Sequence, residues 1–288
     1  MKIFSVFCLL LPLAAAAQST IDATQKYAWA ANTGWINFRP SATDGVVAGE
    51  AFCSGYAYSG NLGWIHFGDG SPANGHTYGN ADAADYGVNH DGEGNLSGYA
   101  YSANTGWIHF GWASASDPDR PRINLLTGAF AGYAYGANTG WINLGAGYLE
   151  TDSLSAPDTD GDGMADAWER ARFRSLASAG PGTNQDGDPA TDVQEYLAGT
   201  SPGDPSDYLK IVSQVKTSSG VTLGAATTKA SRLYSVWSVT PLPTVSTAVW
   251  TQISPAPVLG NGGALTMPVT HADDAQRYYR VEARRPLP

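Results

Sequence analysis

Four copies of one aromatic motif occupy the first half of the chain, and they constrain its fold more than any other feature. The first copy is Tyr27-Ala28-Trp29, then Asn32-Thr33-Gly34, then Trp35-Ile36-Asn37-Phe38. The second has Tyr56-Ala57-Tyr58, Asn61-Leu62-Gly63 and Trp64-Ile65-His66-Phe67. The third has Tyr99-Ala100-Tyr101, Asn104-Thr105-Gly106 and Trp107-Ile108-His109-Phe110. The fourth has Tyr133-Ala134-Tyr135, Asn138-Thr139-Gly140 and Trp141-Ile142-Asn143-Leu144. Successive tryptophans of the motif are 29, 43 and 34 residues apart, so the cores are constant while the connections vary. Both arms alternate with period two, the pattern of strands with one buried face. The Asn-x-Gly between them suits a type I turn closed by a glycine bulge, with Gly where φ must be positive. Each copy is therefore predicted to be a β-hairpin. A further strand is predicted before three of them, at residues 46–52, 95–97 and 129–131, and residues 82–94 read as an acidic, turn-rich loop. A lone hairpin is marginal in water, so the units must stack, as a closed ring or as an open array.

The alternation sorts the side chains into two sets without saying which faces inward. Tyr99 and Tyr101 share one face and Ala100 the other; Ile108 and Phe110 oppose Trp107 and His109. The Tyr and Trp residues either form the core or stand exposed as platforms for sugar rings. Their presence in every copy favours the core, since a stacked sheet needs such a face. His66 and His109 hold the slot that Asn37 and Asn143 fill elsewhere, and read as solvent-facing polar strand residues rather than metal ligands, because no full ligand set accompanies them.

A second feature carries chemistry. In the stretch 158–169, acidic side chains fall at loop positions 1, 3, 5, 9 and 12 (Asp158, Asp160, Asp162, Asp166 and Glu169), with Gly163 at position 6 and the carbonyl of Met164 at position 7. Ca²⁺ takes six to eight oxygens, and this is the EF-hand spacing that gathers them. A second set begins 26 residues on: Asn184, Asp186, Asp188, Ala190, Asp192 and Glu195 repeat positions 1, 3, 5, 7, 9 and 12. Position 6 is Pro189, whose ring holds φ near −65°, so the second loop is expected to be distorted, weaker or lost. A solvated acidic linker has no reason to hold this register twice.

These loops resemble the tandem calcium loops of dockerin modules and of bacterial thrombospondin type-3-like repeats. The first matches residue by residue; the second departs at Pro189. Gln194-Glu195-Tyr196-Leu197-Ala198-Gly199 also resembles the helix end that follows such loops in secreted bacterial proteins. The resemblance covers about a fifth of the chain and implies calcium as ligand, with no partner specified. Helices are expected over 165–176 and 193–198, stopped by Gly180-Pro181-Gly182 and by Gly199.

Beyond Pro202 and Pro205 the pattern changes to short strands, at 208–215, 221–223, 233–239, 248–253, 264–269 and 277–283, which suggests a small β-sandwich. The last of them, Tyr278-Tyr279-Arg280-Val281-Glu282, resembles the closing strand of fibronectin-like modules. The expected architecture is thus mainly β: a signal peptide (1–17), an aromatic β-hairpin repeat domain (18–150), a short α-helical calcium-loop connector (151–207) and a fibronectin-like β-sandwich (208–288).

Charge places the expected counterion. The net charge is −10, and residues 152–207 hold twelve acids and three bases, −9 of it. The partner of that segment is a cation, and no basic patch suits nucleic acid. Residues 1–17 carry Lys2, an apolar core and a small-residue end, the form of a secretory signal cleaved before Gln18, and no later apolar run is long enough to span a bilayer. Cys8 falls within it, leaving Cys53, which reads as a small apolar strand residue. Neither a Gly-x-Ser-x-Gly nucleophile motif, a His-Glu-x-x-His nor a phosphate loop is present. The expectation is a secreted, non-catalytic surface or matrix protein whose Ca²⁺ segment orders the junction of two β parts. Carbohydrate binding by the repeat aromatics and dockerin-like docking are the alternatives, with an extracellular glycan or a surface protein as partner.

Overall fold

The computed structural model describes residues 18–240, 249–270 and 277–288. The signal-peptide reading of residues 1–17, Cys8 included, and the first residue of the strand expected over 248–253 lie outside them. The first half is built of β1 (Ile21–Ala30), β2 (Gly34–Asn37), β3 (Val46–Ala48), β4 (Cys53–Ser59), β5 (Gly63–Gly68), β6 (Val88–His90), β7 (Leu96–Ser102), β8 (Gly106–His109), β9 (Arg122–Ile123), β10 (Phe130–Ala131), β11 (Tyr133–Gly136), β12 (Gly140–Asn143) and β13 (Leu149–Thr151). Helices α1 (Asp166–Phe173) and α2 (Asp192–Ala198) follow. The chain ends in β14 (Lys210–Thr217), β15 (Gly220–Ala226), β16 (Leu233–Val239), β17 (Thr251–Gln252), β18 (Val258–Leu259), β19 (Leu265–Thr270) and β20 (Tyr278–Arg284).

All four motif copies are antiparallel hairpins, β1–β2, β4–β5, β7–β8 and β11–β12, each with an aromatic cross-strand pair: Trp29↔Trp35, Tyr58↔Trp64, Tyr101↔Trp107 and Tyr135↔Trp141. Consecutive hairpins pair edge to edge, and β12 returns to β1 through Ala30↔Ile142, so the eight strands close into a barrel. Of the two arrangements left open by the repeats, the chain adopts the ring. Closure removes every free edge, the usual liability of a short sheet.

The interior of an eight-stranded barrel is only wide enough to be filled by side chains. Small residues therefore decide which face turns in. Ala28, Ala57, Ala100 and Ala134 are fully buried opposite Ile36, Ile65, Ile108 and Ile142, and Phe38, Phe67, Phe110 and Leu144 extend the same core. Each buried Ile or Phe contributes about 1.5–3 kcal/mol. The Tyr and Trp residues face out, with Trp64 53 % and Trp35 49 % exposed. The expectation that they form the core is corrected here: a bore this narrow admits Ala against Ile, and the bulky rings pack edge to face on the outer surface instead.

The turn end of the barrel is laced by asparagines. Asn61 Nδ2 donates to Thr33 O (2.9 Å), Asn104 Nδ2 to Leu62 O (2.9 Å) and Asn138 Nδ2 to Thr105 O (2.9 Å). Asn32 Nδ2 closes the circuit on Asn138 O at 3.4 Å. The motif asparagine thus ties each turn to the one before it. Gly34, Gly63, Gly106 and Gly140 take positive φ in these turns, as the bulge requires.

Outside the ring, β3 pairs β4, β6 pairs β7 and β9 pairs β10. The residue before Tyr in copies two to four is Gly55, Gly98 or Gly132, and a Cβ there would sit 2.0–2.3 Å from a carbonyl oxygen of the chain alongside. The loop expected over 82–94 is corrected by β6: Val88 and His90 are buried, and this strand covers copy three as β3 covers copy two. The strand expected over 129–131 is present as β10, Phe130–Ala131, which precedes copy four and pairs with β9; the segment 95–97 is not separate, since Leu96–Gly98 extends the first arm of copy three. Cys53 is buried in β4, and burial pushes its thiol up to about 12.

The last part is a two-sheet sandwich. One sheet runs β14-β15-β19; in the other, β16 pairs β17, β18 and β20. Leu223, Tyr234, Val236 and Met267 fill the space between. Among the described residues seven strands stand where six were expected, because β18 is two residues between Pro257 and Gly260 and has no periodicity to read. The chain end returns to the barrel: Leu287 joins the barrel core, and Leu154 N donates to Pro288 O at 3.0 Å. Among the described residues no helix is long and apolar enough to cross a membrane.

Candidate metal centre

The two acidic loops fold the same way. In the first, Asp158 accepts from the N–H groups of Gly161 (2.8 Å) and Gly163 (2.9 Å), a turn made possible by positive φ at both glycines. In the second, Asn184 Oδ1 accepts from Gly187 N at 2.8 Å, and Gly187 alone among the loop residues has positive φ. The position-5 aspartates each brace the position-7 amide: Met164 N donates to Asp162 Oδ1 (2.8 Å) and Ala190 N to Asp188 Oδ1 (2.6 Å). The position-9 aspartates each hold the position-2 amide: Thr159 N donates to Asp166 Oδ1 (2.7 Å) and Gln185 N to Asp192 Oδ1 (3.0 Å). Gly163 packs so close to Val193 that a Cβ would meet its methyl at 3.3 Å, so the loops sit side by side.

This bracing aims the remaining oxygens at two points. Asp158, Asp160 and Asp162 each offer an oxygen within 4.8 Å of the others, and so do Asp186, Asp188 and Glu195. Pro189 does not scatter the second set. Glu169 and Glu195, at position 12 of each loop, are 0 % exposed, and neither oxygen of either has a hydrogen-bond partner. Asp162 Oδ2, Asp186 Oδ2 and Asp188 Oδ2 are orphaned in the same way. A buried carboxylate with nothing to bind is costly, so these oxygens need a proton or a cation. Burial, and then the neighbouring Asp162 and Asp160, push Glu169 up to about 7. Burial, then Asp186 and Asp188, push Glu195 up to about 8.

The residues read from sequence thus divide by role. Asp158, Asp160, Asp162 and Glu169, and Asp186, Asp188 and Glu195, present carboxylate oxygens. Met164 and Ala190 are buried and offer only carbonyls. Asn184 is engaged in its own turn. Asp166 and Asp192 are occupied as loop braces, and Asp166 also pairs with Arg170 at 3.6 Å. An all-oxygen set of this size, with no His or Cys, suits a hard cation such as Ca²⁺.

The loops lead into α1 and α2, which share a small core of Met164, Ala165 and Tyr196 with Trp168 and Val193 packed on it. Gly199 ends α2 in the left-handed conformation, as its sequence position implied. What the sequence did not reveal is the neighbour of Glu195: Tyr196 donates to Glu50 Oε2 of the barrel at 2.9 Å, and Arg285, after β20, pairs with the same oxygen at 2.8 Å. Nothing local marks Glu50 or Arg285, which are brought together only by the fold. No family model, no curated protein and no solved structure matches the chain.

Proposed function

We propose that residues 158–195 form a two-site calcium segment that holds the barrel and the sandwich in one arrangement, within a secreted, non-catalytic surface or matrix protein. The observation that carries this reading is the pair Glu169 and Glu195, fully buried with no partner for any of their four oxygens. An ion at the second site fixes Glu195, and Glu195 starts the turn of α2 that delivers Tyr196 to Glu50. Binding energy at the ion then becomes ordering energy for the junction. Extracellular calcium modules work at about 10⁻⁴–10⁻³ M, the range of an external medium. Calorimetric titration of chelator-treated protein with Ca²⁺ tests the reading. Two sites and protection of residues 152–207 from protease are expected; no heat and no gain in thermal stability would overturn it.

A second reading is favoured by the barrel surface. In every copy the four outward positions are Tyr, Trp, His or Asn, with no aliphatic and no charged side chain among them. Flat apolar rings interspersed with hydrogen-bonding edges suit a sugar polymer, which offers C–H faces and hydroxyls. The barrel is accordingly the glycan-binding part, tested by binding to a panel of immobilised polysaccharides.

A further inference from the structure

The longest spacing between motif tryptophans holds an insertion, residues 69–87, that folds back over the barrel surface. Tyr86 lies at its end. Its phenol is 2.6 Å from His66 Nδ1, and its ring stands edge to face against Trp107, centroids 4.8 Å apart at 87°. Tyr99 also packs edge to face with Trp107, at 6.0 Å and 72°, and is itself backed by His109, stacked at 4.5 Å and 11°. Asn80 and Asp82 form the rim. Asn80 to Ala83, Tyr86, Tyr99 and Trp107 line a cleft of about 410 Å³, inside the ~300–1,000 Å³ range of small-molecule sites, and His66 and His109 stand behind its tyrosines.

The walls are already fixed. Asn80 is held by Gly87 N (3.1 Å) and Tyr78 O (3.2 Å), and Asp82 Oδ1 caps the N–H groups of Ala84 (2.9 Å) and Asp85 (3.2 Å). Such preorganisation lowers the ordering cost of binding. Trp107 remains 43 % exposed within the cleft.

We propose that this cleft is the principal saccharide subsite of the barrel and that it takes neutral pyranose rings. The assignment rests on the glycan-binding reading above and makes it specific. A pyranose with equatorial substituents has a flat C–H face to lay on Trp107, while the phenols and Asp82 meet its hydroxyls. The cleft is lined by a carboxylate and no Lys or Arg, and the insertion that forms it carries Asp69, Asp82 and Asp85 with no Lys or Arg. Uronates and sulfated sugars are therefore repelled. A lipid surface is disfavoured because the outward motif positions hold no aliphatic anchor and the cleft has no Lys or Arg around it.

The test uses the full chain in calcium, titrated by calorimetry and tryptophan fluorescence with β-1,4-linked hexasaccharides of glucose, xylose and N-acetylglucosamine, against polygalacturonate and phosphatidylcholine/phosphatidylglycerol vesicles. At least one neutral hexasaccharide is expected to bind. Trp107→Ala and Tyr86→Ala are each expected to weaken it about tenfold, and Trp64→Ala, at an open position, less than about twofold. Tyr86→Phe, which keeps the ring and loses the bond to His66, is expected to bind within about twofold of wild type; thermal melts check that each variant folds. Asp82→Asn is expected to keep the turn and admit polygalacturonate. Absence of binding to every neutral sugar, or binding to vesicles alone, overturns the glycan reading itself. Neutral-sugar binding that survives Trp107→Ala and Tyr86→Ala overturns the cleft and leaves that reading standing. A wild-type preference for polygalacturonate overturns the charge argument.

Discussion

The guanidinium of Arg285 lies 4.4 Å over the ring of Tyr196 while both side chains converge on Glu50 Oε2. Three separated parts of the chain meet at that oxygen: a loop of the barrel, helix α2 and the segment after β20. Burial pushes the Glu50 carboxyl up, and Arg285 and then Arg232 pull it back. Two further contacts reinforce the junction, Ser231 Oγ to Glu93 Oε1 at 2.8 Å and Arg232 Nε to Leu197 O at 3.0 Å.

Removing one member of this buried set leaves the others uncompensated. Glu50→Gln is expected to destabilise the protein by about 3–5 kcal/mol, because Arg285 is then buried without its charge partner. Tyr196→Phe removes one hydrogen bond to a charged group and is expected to cost about 1.5–3 kcal/mol. Denaturant unfolding measures both, and equal stability of Glu50→Gln and wild type would rule the junction out as a stabilising element.

At Glu195 the sign depends on metal. In metal-free protein at pH 8, Glu195→Gln is expected to raise the melting temperature, since it removes a buried carboxylate with no partner. In calcium the order reverses: wild type gains about 2.7 kcal/mol per site at a hundredfold excess over Kd, and the variant loses the share of one site. A melting series with and without chelator reads both directions.

On the proposed calcium reading, protons and the ion compete for the same oxygens. Glu169 and Glu195 have folded values of about 7 and 8, above the unfolded value of about 4.3. The metal-free folded state thus binds protons that the unfolded chain has lost, and its stability falls as pH rises from about 4.3 through 7 and 8. Calcium binding at pH 6 is expected to release about two protons, and at pH 9 close to none. Calorimetry in two buffers of different ionisation enthalpy gives the number directly.

The barrel makes an inside-outside prediction. Ala100 is fully buried, and Ala100→Leu is expected to cost about 1–3 kcal/mol by overpacking the bore. Trp64 is 53 % exposed, and Trp64→Ala is expected to cost about 1 kcal/mol or less, the worth of its cross-strand pairing with Tyr58. Paired thermal melts distinguish the two faces.

The hairpins were legible because period-two arms and Asn-x-Gly turns are local signals. Their polarity was not, since alternation says that Ala100 and Tyr101 point opposite ways without saying which way is in; that depends on the radius of a closed sheet. The same limit hid β6, whose Asn89-His90 looks like a loop until β7 lies beside it. In the acidic segment, spacing located every carboxylate. It could not separate Asp160, which clusters with Asp158 and Asp162, from Asp166, which braces Thr159, because both are one acid at an expected offset. Glu50 and Arg285 carried no signal at all and Tyr196 only that of a helix end, the three being neighbours only in space.

Pairing of β12 with β1 has an evolutionary corollary. An open solenoid can lengthen or shorten by whole units and keep its local structure, so its copy number drifts. Here the first hairpin is the neighbour of the fourth, and Asn32 reaches Asn138 only if two others stand between them on the far side. Deleting or duplicating one hairpin changes the circumference, and with it the bore that Ala28, Ala57, Ala100 and Ala134 fit. Selection on this chain can vary the connections, as the unequal spacings record, but it must keep the number four.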